Sequence, residues 1–254
     1  MTVASRKPYI AGNWKMNLDR SRSLDLIKTI KGRIGDGNDR EVAIFAPSIY
    51  LADVGAVAQG SPLGIGGQNL WYENSGAFTG ELSPPMLREV GADRVLVGHS
   101  ERRHVFRELD EWMGRKMRAA LDGDLMPIYC IGETLDERKA NRTDRVLKKQ
   151  LEAGLGQLKE EDAHRVSVAY EPVWAIGTGE TASLEQVDQA HATIRKWMSS
   201  KIGAEAETIR ILYGGSVKPD NARDLMGLES VDGLLVGGAS LAAESFLPII
   251  EYDS

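Results

Sequence analysis

Short apolar runs alternate with longer amphipathic stretches along this chain. The runs span 9–11, 42–46, 63–67, 94–97, 126–130, 166–170, 209–213 and 233–236. Their near-continuous apolar character predicts strands buried on both faces, as in a parallel sheet. The stretches between them carry helical spacing. Leu24, Ile27, Ile30 and Ile34 form one stripe, and Met113, Met117 and Leu121 another. Leu147, Leu151, Leu155 and Leu158 form a third behind Thr143, a candidate cap. Ser183-Leu-Glu-Gln186 has the form of a capping box, in which hydroxyl and side-chain amide satisfy each other's orphan backbone donors. Behind it Leu184, Val187, Ala190, Ile194, Trp197 and Met198 share a face, and these aromatic and Met positions read as core. Strand-then-helix alternation eight times over predicts a single α/β domain over residues 1–254: a (β/α)8 barrel of eight parallel strands inside an outer ring of helices. A doubly wound open sheet is the rival, weakened by the lack of a G-x-G-x-x-G after the first run. No linker composition marks a domain boundary.

The composition narrows the class. The chain has 254 residues, 42% of them hydrophobic and 27% charged, with a net charge of −6. An acidic balance argues against nucleic acid as partner, since that affinity rests on Lys and Arg neutralising phosphates. A single cysteine, Cys130, leaves no internal disulfide framework and suits a reducing compartment. The first residues lack an apolar signal core, and no apolar run approaches the roughly 18 residues of a spanning helix. A cytoplasmic protein that binds no membrane is expected. With no His/Cys/Asp cluster at metal-ligand spacing, no catalytic metal is expected.

In such a barrel the chemistry gathers at the carboxyl ends of the strands. Asn13 and Lys15 follow the first run at i, i+2 and so point into the same space. Gly98-His99-Ser100-Glu101-Arg102-Arg103 follows the fourth, Glu171-Pro172 the sixth, Gly214-Gly215-Ser216 the seventh and Gly237-Gly238 the eighth. Each alone is weak: a strand-end His or Glu is more often structural, and a Gly pair more often a turn. Five signals at five strand ends are a far stronger statement. Backbone without Cβ atoms can aim several N–H donors at an anion, and Gly-Ala-Ser-Leu after Gly237 can open a short helix facing it. Lys15 supplies a full positive charge. A carboxylate, a His and a Lys beside a phosphate pocket suit proton abstraction next to a carbonyl, with Glu171 as base and His99 and Lys15 at the developing oxyanion. The apolar ten-residue segment Pro172-Val173-Trp174-Ala175-Ile176-Gly177-Thr178-Gly179-Glu180-Thr181 exceeds the usual βα loop of roughly 2–6 residues and reads as a lid that excludes water.

These stretches resemble the triosephosphate isomerase family. Asn13-Trp-Lys-Met-Asn17, Gly98-His-Ser-Glu-Arg-Arg103, Cys130-Ile-Gly-Glu-Thr134, Ala169-Tyr-Glu-Pro-Val-Trp-Ala-Ile-Gly-Thr-Gly179, Tyr213-Gly-Gly-Ser-Val217 and Gly237-Gly-Ala-Ser240 carry the likeness across the chain in order. It implies a cofactor-independent isomerase of glycolysis and gluconeogenesis that interconverts dihydroxyacetone phosphate and D-glyceraldehyde 3-phosphate through an enediolate. A four-carbon ketose phosphate isomerase using the same site is the near alternative, and a phosphate-binding barrel without catalysis the distant one. By position, the resemblance makes Glu171 the base, His99 a neutral imidazole serving both substrate oxygens, Lys15 the partner of the substrate charge, Asn13 an oxyanion donor and Glu101 an aid to proton movement. Gly177, Ser216, Gly237 and Gly238 would hold the phosphate, and Ile176 and Leu235 would cover the base. Trp174, Glu133, Tyr170 and Tyr213 would exchange hydrogen bonds as the lid moves.

Two positions depart from the family pattern: Glu180 stands where the trailing lid hinge usually has Lys, and Arg107 where Gly is common. Cys130 resembles a near-site family cysteine, though a small buried hydrophobe is its default reading. The long segment 68–81 exposes Trp71, Tyr72 and Phe78 unless something covers them, which suggests a partner surface. The resemblance makes that partner a second copy, the loop tip at Thr79 entering beside its Asn13 and Lys15. A homodimer is therefore expected.

Overall fold

A computed structural model describes residues 6–36, 39–177 and 180–254 of the chain. Among them are β1 (Tyr9–Asn13), β2 (Glu41–Phe45), β3 (Gly64–Gly67), β4 (Arg94–Val97), β5 (Met126–Ile131), β6 (Ser167–Tyr170), β7 (Arg210–Tyr213) and β8 (Gly233–Val236). Every pairing is parallel and in chain order, and β8 returns to β1, with Ile10 opposite Leu234, so the sheet closes on itself. That closure excludes the open doubly wound sheet.

The helices follow the strands around the outside: α1 (Arg20–Lys31), α2 (Leu51–Ala58), α3 (Pro84–Glu89), α4 (Ser100–His104) and α5 (Asp110–Asp122). Then come α6 (Leu135–Lys139), α7 (Thr143–Leu155), α8 (Leu184–Ile202), α9 (Ala222–Met226) and α10 (Ala243–Ile250). The Ser183–Gln186 capping box is formed in both directions at the start of α8. Met113, Met117 and Leu121 are buried on α5, as are Leu147, Leu151 and Leu155 on α7. Each such side chain contributes roughly 1.5–3 kcal/mol by leaving water. Some expectations fail at helix ends. Thr143 is the first residue of α7 rather than its cap, and Arg142 before it makes no side-chain cap bond. Leu184 opens α8 and is exposed. Ile34 and Leu158 lie past the ends of their helices, and on α1 Leu24 is half-buried while Leu26 joins Ile27 and Ile30 in the core.

Alternation along the strands makes two cores. Tyr9, Ala11, Phe45, Leu96, Ile128, Cys130, Ala169, Leu212 and Leu235 fill the barrel interior. Their neighbours, such as Ile10, Ile44, Val97, Tyr129 and Val168, pack outward under the helices. At the amino end of the barrel Arg94 fills the interior, donating to the Tyr9 hydroxyl at 3.0 Å and pairing with Glu41, which also pairs with Arg210. Gly64 makes room for it, since a Cβ there would stand 2.2 Å from the guanidinium carbon. The Arg94 cluster thus fills the amino end of the barrel.

Candidate active site

The inward series of each strand, carried past its last residue, delivers the functional groups. On β1 the series Tyr9, Ala11, Asn13 places the Asn13 amide at the carboxyl rim. Lys15 follows in the left-handed region at φ 52°, a conformation that costs a lysine energy and turns its side chain back over the barrel mouth. Its backbone N–H donates to Asn13 Oδ1 at 3.0 Å, and its ammonium to Glu101 Oε1 at 2.7 Å. Gln68, just past β3, braces this corner by donating to the Lys15 carbonyl at 2.8 Å and the Phe45 carbonyl at 3.0 Å. Nothing in the sequence pattern assigns Gln68 a role; its position at a strand end is the available signal.

On β6 the series runs Ala169, Glu171. The Glu171 carboxylate is buried, and Gly214 leaves it space, since a Cβ there would stand 2.9 Å from its Cγ. Glu171 Oε1 is 3.1 Å from His99 Nε2, and its Oε2 accepts the Ser100 backbone N–H at 2.9 Å. His99 Nδ1 in turn accepts the Glu101 backbone N–H at 3.3 Å. The Glu101 carboxylate is 3.6 Å from that nitrogen, too far to compete. An Nδ1 that accepts carries no proton, so the ring proton sits on Nε2 and points at Glu171. Burial pushes the Glu171 carboxyl up, but His99, the Ser100 amide and Lys15 outweigh it and hold the group below the usual carboxylate range. The sequence offers Ser100 only as part of a motif; in the structure its backbone N–H anchors the Glu171 carboxylate.

Asn13, Lys15, His99 and Glu171 line one cavity of about 240 Å³, whose far wall is Gly177, Ser216, Gly237 and Gly238. A Cβ on Gly237 would stand 3.4 Å from Lys15 Cε, so the cationic arm lies along the glycine cradle. Gly238–Leu241 forms the short helical turn expected after the cradle. Ile176 and Leu235 share the cavity wall near Glu171. Glu101 does not line it; it reaches Lys15 from an adjoining hollow of about 290 Å³ that Asn13 and Lys15 also border. Among the described residues, no three His, Cys, Asp or Glu side chains are grouped to hold a metal.

The segment expected to act as a lid leaves β6 through buried Glu171 and Pro172, makes one helical turn at Val173–Ala175, and reaches Ile176 and Gly177, the latter at φ 70°. Thr178 and Gly179 lie outside the described residues. Glu180 and Thr181 are exposed at the trailing end. The Trp174 indole N–H and the Tyr170 hydroxyl both donate to Glu133 Oε1, at 3.0 and 3.1 Å, and Tyr213 stands beside Tyr170 with ring centres 6.5 Å apart.

The 68–81 segment differs in part from expectation. Trp71 and Tyr72 are half-buried by their own chain: Trp71 stacks on Tyr72 at 4.2 Å and meets Trp112 edge-on, and Arg115 lies over Tyr72. Phe78 and Thr79 at the tip stay exposed. Below, Asn69 accepts from the fully buried Lys116 at 2.8 Å and donates to Glu108 at 3.2 Å, which anchors the base of the loop.

A closed parallel barrel with a buried carboxylate–imidazole pair facing a lysine and a glycine cradle defines an isomerase-type acid–base site for a small phosphorylated substrate. The family model described as triosephosphate isomerase matches residues 8–253. The triosephosphate isomerase of Endomicrobium trichonymphae is 47% identical over 97% of this chain and 99% of its own length. That of Chloroflexus aurantiacus is also 47% identical, again over 97% of this chain and 99% of its own. The crystal structure of triosephosphate isomerase from Bartonella henselae superposes with a TM-score of 0.90 at 40% identity, covering 98% of this chain and all of that one. The chain belongs to the triosephosphate isomerase family, whose members interconvert dihydroxyacetone phosphate and D-glyceraldehyde 3-phosphate.

Proposed function

We propose that Glu171 performs this isomerisation as the general base, moving a proton between the two carbons of the triose. The observation that carries the reading is the buried Glu171 carboxylate 3.1 Å from His99 Nε2, with Gly237 and Gly238 across the same cavity. In the forward direction the carboxylate takes a proton from C1 of the ketose, and the electron pair moves toward the carbonyl oxygen to give the enediolate. The His99 Nε2–H, the Lys15 ammonium and the Asn13 amide donate to the oxygens where that charge develops. His99 Nε2 gives its proton to the former carbonyl oxygen and takes the O1 hydroxyl proton in exchange, and protonated Glu171 then delivers its proton to C2 as the aldehyde forms at C1. The N–H groups of Gly177, Ser216, Gly237 and Gly238 hold the phosphate, and Glu101 tunes the Lys15 charge. No cofactor takes part.

Resting against the Ser100 amide, the base is too well stabilised to attack a carbon acid. Closure of residues 172–181 moves it off that amide and brings Ile176 toward Leu235, so that the carboxylate is dried while the enediolate is kept from losing its phosphate. The working unit is a homodimer in which the 68–81 loop of one copy fills the hollow beside Asn13, Lys15 and Glu101 of the other. Its place is the cytoplasm, in glycolysis and gluconeogenesis, without a nucleic-acid or membrane partner.

Replacing the base tests the chemistry. Glu171→Gln keeps the shape and removes the basicity, so kcat on glyceraldehyde 3-phosphate in a coupled assay falls about 10³–10⁴-fold while KM changes little. Turnover near wild type would defeat the assignment. The same assay with a four-carbon ketose phosphate gives a lower kcat/KM than the triose.

A further inference from the structure

Behind the acid–base pair lies a set of buried polar side chains that the proposed chemistry does not use and that do not line the cavity. Arg103, on α4, is buried and spends its guanidinium on four partners. Its Nε donates to the Gly98 carbonyl at 2.6 Å, and Nη1 to Asp110 at 2.5 Å. Its Nη2 donates to the Tyr129 hydroxyl and to the Cys130 carbonyl, both at 3.1 Å. Gly98 is the residue before His99, held at φ 75°, and a Cβ there would stand 2.6 Å from Arg103 Nη2. The guanidinium therefore occupies the space that the glycine leaves, and ties the end of β4 to β5.

The connection continues from β5 toward the base. The Tyr129 hydroxyl donates to the Gln150 carbonyl on α7 at 2.6 Å. Gln150 then clasps one residue on both sides: its Oε1 accepts the Gly132 N–H at 2.8 Å and its Nε2 donates to the Gly132 carbonyl at 3.2 Å. Gly132 lies so close to the backbone of the base that a Cβ would stand 1.7 Å from the Glu171 carbonyl oxygen. Glu171 is held there by its N–H, which donates to the Ile131 carbonyl at 2.7 Å. One unbroken chain of short polar contacts thus runs from the residue before His99 to the peptide that abuts Glu171. We propose that Arg103, Tyr129 and Gln150 are positioning residues that set the separation of His99 and Glu171. Burial pushes the Tyr129 hydroxyl up to about 12, so its proton stays in place as the link to Gln150 at any working pH.

The inference rests on the proposed roles of His99 and Glu171 and deepens them. A small displacement of two groups that must both meet a substrate 3 Å away costs rate far more than binding. Tyr129→Phe removes one oxygen from the middle of the chain and keeps the ring that packs on Gly154. We expect kcat to fall 10- to 50-fold with KM within twofold. Affinity for a planar hydroxamate of phosphoglycolate, which mimics the enediolate, falls by the same factor, while inhibition by inorganic phosphate is unchanged. Arg103→Lys gives a larger loss of the same pattern where it folds. A folded Tyr129→Phe enzyme with unchanged kcat and hydroxamate affinity overturns the inference. So does equal weakening of hydroxamate and phosphate, the mark of a merely loosened barrel. A wild-type chain inactive on triose phosphates would instead overturn the functional reading beneath it.

Discussion

Arg107 sits at φ 60°, in the left-handed region that a side chain bearing a Cβ enters at a cost of about 1–2 kcal/mol. Asp124 and Asn141 share that region and tolerate it through their short polar side chains, whereas Arg107 has no such relief. An arginine at this position thus carries a backbone cost that a glycine would not, which the sequence signalled only as a departure. Glycine there escapes the strain and gives back part of the gain as unfolded-chain entropy. Arg107→Gly is therefore expected to stabilise the protein by about 0.5–1 kcal/mol, read as a higher urea midpoint at equal slope, with kcat/KM unchanged. A lower midpoint would show that the arginine holds a contact worth more than the strain. Lys15, strained in the same sense, is the contrasting case: its conformation aims the ammonium at Glu101 and the glycine cradle, so relief there sacrifices the site. At this scale Asn13, Lys15, His99 and Glu171 were legible because their chemistry is unusual at strand ends. Ser100 and Gln68 were not, because their work is done by a backbone N–H in one case and a plain amide in the other.

At the scale of elements, all eight strands were legible because burial on both faces leaves an apolar run that a helix of that length does not show. Helix ends were less so: Thr143 is a good cap by type, but the chain enters α7 through Arg142 and places the threonine inside the first turn. The apolar stripe of α8 also hid a polar member. His191 lies on that buried face, its Nδ1 2.9 Å from the Ser230 carbonyl and its ring edge-on to Tyr170, the residue before the base. Its Nε2 is buried without a partner among the described residues, so a proton there would be a buried, unanswered charge. Burial accordingly pushes the imidazole down from 6.5 to about 4. The linkage has a definite sign. Below pH 6.5 the unfolded chain takes up a proton that the folded chain refuses until about pH 4, so stability falls as the pH drops through that window. The shift corresponds to about 2 kcal/mol lost between pH 7.5 and 5. In urea unfolding at fixed protein concentration, the stability gap between wild type and His191→Asn should shrink by about that amount over this range. A gap independent of pH would mean that His191 is protonated or solvated in the fold.

For the whole molecule, one face carries apolar side chains that nothing in a single chain covers. Met16 is 94% exposed and Phe106 63%, and both border a hollow of about 290 Å³ shared with the same Asn13 and Lys15 that line the catalytic cavity; Ile49, 77% exposed, follows Ser48 of its rim. The 68–81 loop, rigid at its base through Asn69, Lys116 and Glu108, presents Phe78 and Thr79 at an exposed tip. A protruding tip and a recess on one surface are the self-complementary halves that a two-fold dimer requires. The sequence disclosed the loop through its length and aromatics; the recess is assembled from residues of four separate strand ends, and no local pattern reveals it. Sedimentation at micromolar concentration is expected to give twice the 27.8 kDa chain mass. Phe78→Asp, which forces a carboxylate into the recess, should weaken association at least 100-fold, in keeping with an aromatic anchor that contributes about 2–4 kcal/mol. Because the recess shares Lys15 with the catalytic cavity, kcat/KM of that variant should fall with dilution and recover at high protein concentration. A wild-type monomer with full activity at nanomolar concentration would separate the site from the interface and leave the exposed face to some other partner.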